Sequence, residues 1–273
     1  MLVWLLVAAA AVTVAALAVR RFRLARRRRA RRSAQPRYPV VLAHGFMGFD
    51  EIGVGARKHL YFRGIGPHLE RIGAQVYIPR LPPASTVEVR AQRLADLIRA
   101  LPDPRVNIVA HSMGGLDARY AISRLGLAGR VASLTTIGTP HLGTPLASAG
   151  NALFGAVSRM LRRFFDLVAL GDLTREGMAR FNAKVPDAGE VAYASVVGRS
   201  GRLRTNPLLW PSHLYLAQRS GANDGIVPAE SQRWGDVMRE IDADHWAQIG
   251  WSGGFDAPAL YEELLRELRG RGF

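Results

Sequence analysis

The chain of 273 residues contains no cysteine and has far fewer acidic than basic residues. Without cysteine it can form no disulfide, bind no metal through a thiolate and use no cysteine nucleophile. Its 37 lysines and arginines exceed its 22 aspartates and glutamates, which gives a formal net charge of +15. Most of this excess positive charge lies in one short N-terminal stretch, so the rest of the chain is much less basic than the net charge indicates.

The first 19 residues contain no charged side chain and are apolar except for Thr13. At about 1.5 Å per residue, a helix of this length reaches nearly 30 Å, the thickness of a bilayer core. Nine arginines follow between Arg20 and Arg32. Positive charge after an apolar run is typical of a membrane span with a cytoplasmic flank, whereas a secretory signal carries its charge before the run.

We therefore predict a transmembrane helix at 1–19, an arginine-rich juxtamembrane linker at 20–37 and one folded domain at 38–273. The protein would be a single-pass protein of the cell membrane with its domain in the cytoplasm. Cleavage of the N-terminal segment and export is the alternative. The segment from Arg20 to Arg32 is expected to bind anionic membrane lipids, at about 1 kcal/mol per basic residue. Nucleic acid is not expected, because this segment lacks interleaved aromatics and a recognition motif.

The apolar run Val106–His111 ends at Ser112, which is followed by two glycines and a helix-like pattern. This order predicts a strand, a tight turn and a helix, a geometry that lifts a serine hydroxyl clear of the backbone. Small residues are needed beside so sharp a bend, and Ala110 and Gly114 are small, although glycine is usual where Ala110 stands. An ordinary loop with a solvent-exposed serine is the alternative.

A nucleophilic serine needs a base and an acid that orients the base, and after such a turn the chain order is serine, acid, histidine. Asp224 lies in a turn-like Asn-Asp-Gly, and His245 is the only histidine that follows it. Asp242 and Asp244 compete for the acid role, but they lie too close in sequence to His245 for an easy approach to the back of its ring. We predict Ser112, Asp224 and His245 as the catalytic residues.

Apolar runs and helical patterns alternate along the chain. The predicted strands are 39–43, 74–79, 106–111, 131–137, 191–197 and 237–241, and predicted helices include 67–72, 86–101 and 257–268. The alternation favours a doubly wound α/β sheet. The proline-broken stretch 203–213 predicts a loop.

Four motifs occur in order: VVLAHGFMGFD at 40–50, GAQVY at 73–77, VNIVAHS at 106–112 and TIGTPHLG at 136–143. Together they resemble the bacterial triacylglycerol lipases of the α/β-hydrolase superfamily, over roughly residues 38–245. The resemblance implies an α/β-hydrolase fold with a mostly parallel central sheet and a lipid or ester substrate. It also implies Ser112 as nucleophile, Asp224 as orienting acid and His245 as general base.

The same resemblance implies an oxyanion hole formed by the backbone N–H groups of Phe46 and Met113. No cofactor is expected. Secreted relatives hold a calcium ion with aspartates, one of them two residues beyond the catalytic histidine. That position is Ala247 here, so we expect no metal there.

Between residues 146 and 181, apolar side chains recur at helical spacing: Leu153, Phe154, Val157, Met160, Leu161, Phe164, Phe165 and Val168. This predicts an amphipathic helix with a broad apolar face. The resemblance implies a helical lid insertion over the acyl site, with Phe164 and Phe165 on its apolar face. A helix packed permanently on the core is the alternative. His141 would either shape the acyl pocket or, as we favour, serve as a hydrogen-bonded loop residue.

We interpret the chain as a membrane-anchored serine hydrolase, a triacylglycerol lipase or carboxylesterase that cleaves lipid esters through an acyl-enzyme. An acyltransferase or another acyl hydrolase is an alternative, because an alcohol can resolve an acyl-enzyme as water does. A non-catalytic membrane module is the other alternative, and the complete set of Ser112, Asp224 and His245 argues against it. The sequence gives no indication of the oligomeric state.

Overall fold

The computed structural model describes residues 35–45, 52–54, 57–59, 61–83, 85–148 and 173–273. The predicted span at 1–19, most of the linker at 20–37, Phe46 and the central part of the predicted lid lie outside these ranges. Within them, no helix combines the length and the apolar character that crossing a membrane requires.

A parallel sheet of six described strands forms the centre of the fold, in the order β4-β1-β5-β6-β7-β8. The described strands are β1 (Val40–Ala43), β2 (Ile52–Val54), β3 (Arg57–His59), β4 (Val76–Tyr77), β5 (Val106–His111), β6 (Val131–Ile137), β7 (Ala192–Arg199) and β8 (Asp236–Asp242). β1, β5 and β6 are buried along their whole length, as continuous apolar runs in a parallel sheet require. β2 and β3 form a separate antiparallel pair.

Helices cover both faces of the sheet. The described α-helices are α1 (Ile65–Arg71), α2 (Val87–Ala100), α3 (Gly114–Arg124), α4 (Pro145–Ser148), α5 (Arg175–Lys184), α6 (Trp210–Ser220) and α7 (Ala257–Gly270). Leu69 of α1 and Leu264 of α7 belong to the core on one face, and Leu94 of α2 and Ile122 of α3 to the core on the other. The predicted α/β-hydrolase architecture with a parallel sheet is therefore confirmed.

The predicted loop at 203–213 is wrong. A 3-10 turn covers Pro207–Leu209, and α6 begins at Trp210 with Pro211 in its first turn. Proline is tolerated at that place because the first N–H groups of a helix have no partner within it. The prolines of 203–213 indicate a loop when read as breaks, whereas Pro211 helps to start the helix.

The carboxyl ends of parallel strands lie at one edge of the sheet, and the candidate residues follow them. Ser112 comes directly after β5, and His245 follows β8 by three residues. Asp224 is brought to the same edge because the Asn223 carbonyl accepts a hydrogen bond from the Ser200 N–H, next to the end of β7, at 3.0 Å. The sheet thus gathers residues that are far apart in sequence.

Candidate active site

Ser112 occupies a sharp turn between β5 and α3. Its φ of 55° makes it the one residue besides glycine in the left-handed region among the described ranges. Three hydrogen bonds hold the turn. The Ser112 N–H donates to the Ile137 carbonyl at 2.9 Å, and the Ser112 carbonyl accepts from the Thr139 hydroxyl at 2.7 Å and from the Gly115 N–H at 3.1 Å. A strained conformation persists only where its surroundings over-determine it, as these contacts do here.

The glycines beside Ser112 permit a very close approach of backbone segments. A Cβ atom on Gly114 would lie 2.5 Å from the Ala43 carbonyl oxygen and 2.8 Å from that of His44. A Cβ atom on Gly45 would lie 2.7 Å from the Cβ of Ser112. Any side chain at Gly114 would therefore separate the start of α3 from the end of β1.

His245 lies between Ser112 and Asp224. Its Nε2 atom is 3.0 Å from the Ser112 hydroxyl oxygen, and its Nδ1 atom is 2.8 Å from Oδ2 of Asp224. The Asp224 carboxylate has no exposed surface, and its Oδ1 atom accepts hydrogen bonds from the N–H groups of Ile226 and Val227 at 2.9 and 2.7 Å. This arrangement can pass the hydroxyl proton of the serine to the imidazole ring.

The two competing aspartates have other partners. Asp242 is largely exposed and pairs with Arg204 at 2.7 Å. Asp244 is buried, and its Oδ1 atom accepts from the Ala247 N–H and the Ser252 hydroxyl at 2.7 and 2.9 Å. Neither carboxylate is the one within hydrogen-bond distance of the His245 ring.

Of the two predicted oxyanion donors, Met113 is described and Phe46 is not. Met113 is the N-cap residue of α3, so its N–H lies at the positive end of that helix, where a developing negative charge is stabilised. The residues that precede Phe46 are fixed: Nε2 of His44 accepts from the Leu81 N–H at 3.1 Å, and the Gly45 N–H donates to the Tyr61 hydroxyl oxygen at 3.1 Å.

Arg90 of α2 supports the same loop, a role that the sequence patterns did not predict. Its guanidinium donates to the carbonyls of His44 and Gly45 at 2.7 and 3.1 Å. Its Nε atom pairs with Asp117 at 2.8 Å, and both side chains have no exposed surface. Burial outweighs the attraction of Arg90 and raises the pKa of Asp117 to about 7. A buried ion pair therefore supports the loop that leads to Phe46.

His141 lies in a buried cluster behind the turn. Its ring stacks on Trp234 with centroids 5.2 Å apart, and its Nε2 atom is 3.0 Å from the Thr136 hydroxyl. Burial and the neighbouring charge of Arg119 hold the pKa of His141 well below its usual value. These contacts are those of a hydrogen-bonded loop residue. Phe164 and Phe165 lie outside the described residues.

No metal site is evident in the described part of the chain, where no three histidine, aspartate or glutamate side chains are grouped so as to hold an ion. Ala247 begins a short 3-10 turn after His245. It offers no side-chain ligand.

The fold and this site define an α/β hydrolase, and comparison with known proteins agrees. The family model described as alpha/beta hydrolase fold matches residues 38–177. A triacylglycerol lipase of Pseudomonas fragi is 30% identical over 88% of this chain and 99% of its own length. A triacylglycerol lipase of Vibrio cholerae is 32% identical over 87% of this chain and 89% of its own.

Among solved structures, a metagenomic carboxyl esterase superimposes with a TM-score of 0.74, over 86% of this chain and 76% of that one. At 23% identity, this likeness shows the fold alone. With the two lipase relatives it confirms the resemblance stated from the motifs. The chain belongs to the bacterial triacylglycerol lipase family of the α/β-hydrolase superfamily, a family of serine ester hydrolases.

We expect Gly114→Ala to reduce ester hydrolysis by about 100-fold or more, because a displacement of about 1 Å at a reacting group has an effect of that size. The added Cβ would push the start of α3 away from the Ala43 carbonyl. Gly129→Ala is the matched control, since its Cβ would meet nothing within 4 Å. Rates on a short soluble ester and melting temperatures should be measured for both. A Gly114→Ala enzyme as active as the Gly129→Ala enzyme would contradict the close packing described here.

Proposed function

We propose that the protein hydrolyses carboxylic esters of lipids, with Ser112 as nucleophile, His245 as general base and Asp224 as the acid that orients the base. One observation carries this proposal. His245 is within hydrogen-bond distance of both the Ser112 hydroxyl, at 3.0 Å, and the buried Asp224 carboxylate, at 2.8 Å. The family of ester hydrolases to which the chain belongs supports the same chemistry.

In the first half of the reaction, Oγ of Ser112 attacks the ester carbonyl carbon while Nε2 of His245 takes the hydroxyl proton. Asp224 accepts the Nδ1–H of His245 and stabilises the imidazolium that forms. The carbonyl oxygen becomes an oxyanion that accepts hydrogen bonds from the N–H groups of Met113 and Phe46. When the tetrahedral intermediate collapses, the alcohol leaves with the proton from His245.

In the second half, a water molecule attacks the acyl-enzyme with His245 as base, and the carboxylic acid departs as Ser112 recovers its proton. An added alcohol can take the place of water, which would make the protein an acyltransferase. The named activity of the relatives in Pseudomonas fragi and Vibrio cholerae favours hydrolysis of acylglycerols.

The insertion at 146–181 is proposed to act as a lid. The Thr144 N–H, just before the insertion, donates to the carbonyl of Leu173, within it, at 2.9 Å. Just beyond, Met178 of α5 packs with Met113, the residue that follows the nucleophile. The C-terminal part of the insertion thus lies beside the proposed acyl site, as a lid requires.

Anchoring in the membrane is proposed for the apolar segment at 1–19, with the arginines from Arg20 to Arg32 binding anionic lipid. The supports are the length of the apolar run and the position of the arginines directly after it. The catalytic domain would then lie on the cytoplasmic side.

The nucleophile is tested by Ser112→Ala, for which we expect a loss of kcat on the order of a millionfold because the covalent step is removed. The assay uses p-nitrophenyl esters from short to long acyl chains, with an added alcohol in parallel reactions. Ser220→Ala, which alters an exposed serine, is the control. Equal rates for the Ser112→Ala and wild-type proteins would refute the proposal. Transfer to the alcohol in preference to water would identify an acyltransferase.

The lid is tested by Phe164→Ser together with Phe165→Ser. We expect activity on aggregated long-chain esters to fall more than activity on soluble short-chain esters, because a lid meets the lipid surface through its apolar face. Rates on monomeric and aggregated substrate should be compared in the same buffer. Equal losses on the two substrates would favour a helix packed permanently on the core.

The anchor is tested by deleting residues 1–19. We expect the full chain to stay with the membrane fraction after a high-salt wash. The shortened chain should bind only vesicles that contain anionic lipid, and it should leave them in high salt because its remaining attraction is electrostatic. Co-sedimentation measures both. Release of the full chain by salt would show that the apolar segment does not hold it.

A further inference from the structure

We propose that Gln248, His111 and Tyr61 are positioning residues, which join the carboxylate of Asp224 to the backbone of Gly45 through one continuous line of hydrogen bonds. The inference rests on the proposed function, because these residues would support both halves of the proposed active site. One half is the acid that orients the base, and the other is the loop that leads to the oxyanion donor Phe46.

The contacts form an unbroken series. Nε2 of Gln248 donates to Oδ2 of Asp224 at 3.0 Å, and Oε1 of Gln248 lies 3.2 Å from Nε2 of His111. The other ring nitrogen of His111, Nδ1, is 2.7 Å from the Tyr61 hydroxyl. That hydroxyl oxygen accepts the Gly45 N–H at 3.1 Å. Gln248 and His111 are at most 1% exposed and Tyr61 is 9% exposed.

The carboxylate of Asp224, in its proposed role as acceptor from His245, sets the direction of every hydrogen bond in this series. A carboxylate only accepts, so the amide nitrogen of Gln248 faces it and the amide oxygen faces His111. His111 must then carry its hydrogen on Nε2 and accept from the Tyr61 hydroxyl on Nδ1. The Tyr61 oxygen is left to accept from Gly45. All donors point toward Asp224, and hydrogen bonds aligned in this way polarise one another in a buried site.

Both titratable groups in the middle of the series are neutral. Burial and the nearby His245 hold the pKa of His111 well below its usual value. Burial raises the pKa of Tyr61, although its bond with Gly45 and the charge of Arg90 oppose the shift. The rings of His111 and His245 have centroids 4.5 Å apart. A neutral His111 therefore adds no positive charge beside the imidazolium of His245.

The space around Gln248 is shaped to its side chain. A Cβ atom on Gly138 would lie 2.3 Å from Oε1 of Gln248, and one on Gly198 would lie 2.1 Å from Nε2. The residue itself lies in the 3-10 turn Ala247–Ile249, and its N–H donates to the Asp244 carbonyl at 3.2 Å. The glutamine amide is thus held between two strand ends.

The chain offers a matched comparison in Gln232, which is also fully buried. Its amide accepts from the Gly198 N–H at 2.7 Å and donates to the carbonyls of Gly198 and Val227 at 2.9 and 3.1 Å. Gln232 thus bonds only to the backbone in the described residues, whereas Gln248 bonds to the proposed catalytic acid. Tyr261 is the matched control for Tyr61, since its hydroxyl is also buried but has no hydrogen-bond partner among the described residues.

The first experiment compares Gln248→Met with Gln232→Met in the full-length protein. We expect Gln248→Met to lower kcat by about tenfold, with little change in KM, because a hydrogen bond to a charged group is lost. The acid limb of the kcat/KM profile should move to higher pH, since a carboxylate with one donor fewer attracts the His245 proton more strongly. Gln232→Met should lower the melting temperature and leave the acid limb in place.

The second experiment is a double-mutant cycle of Gln248→Met with Tyr61→Phe, with Tyr261→Phe as the control for loss of a hydroxyl. Coupled residues should give a double variant whose loss of kcat is smaller than the product of the single losses. Multiplicative losses, or the same pH profile for Gln248→Met and Gln232→Met, would overturn the inference. Failure of the proposed function is distinct, because it would appear as undiminished activity in Ser112→Ala.

Discussion

The left-handed conformation of Ser112 is the constraint on which the site depends. The turn is possible because residue 114 is glycine. The start of α3 passes so close to the end of β1 that a Cβ at this position would lie 2.5 Å from the Ala43 carbonyl. This contact places the hydroxyl at the carboxyl edge of the sheet and points the first N–H groups of α3 at the same spot. The positions of the proposed nucleophile and of the Met113 N–H therefore both depend on this packing contact.

The other half of the site depends on buried polar groups. Arg90 and Asp117 have no exposed surface, and a buried ion pair is costly unless its remaining donors are satisfied. Arg90 satisfies them on the carbonyls of His44 and Gly45, so the desolvated guanidinium also fixes the loop. Losing either partner would leave a buried charge unpaired. We interpret the pair as a means of holding one loop conformation rather than as a source of stability.

Local patterns were enough to predict the sheet and the candidate residues that follow its strands. Val106–His111 and Val131–Ile137 are continuous apolar runs, and the structure has strands at the same bounds. The helix α6 was missed because a proline was interpreted as a break and not as a first-turn residue. Strands β1, β4, β7 and β8 differ from the prediction by one or two residues at one or both ends, where no side-chain pattern marks the limit.

The supporting residues could not be predicted, because their partners are remote in sequence. Arg90 bonds with His44 at a separation of 46 residues, and Gln248 with Asp224 at 24. Apart from its position on the apolar face of the helix, nothing local distinguishes the buried Arg90 from Arg93 on the same helix, which is exposed. A single sequence shows residue types and spacing, whereas these roles arise from the way two helices and several strand ends meet. The position of an arginine among Val87, Ala91 and Leu94 on the buried face of α2 was the one available signal.

The two ends of the described domain lie together, where the Arg37 N–H donates to the Phe273 carbonyl at 2.6 Å. Arg37 precedes β1, so both ends are at the amino edge of the sheet, about 20 Å from the carboxyl edge along a strand of seven residues. A solid support or fusion partner joined after Phe273 would thus lie at the amino edge of the sheet, on the side away from Ser112. Immobilisation through a group joined after Phe273 would leave the opposite edge, with Ser112, facing the reaction medium.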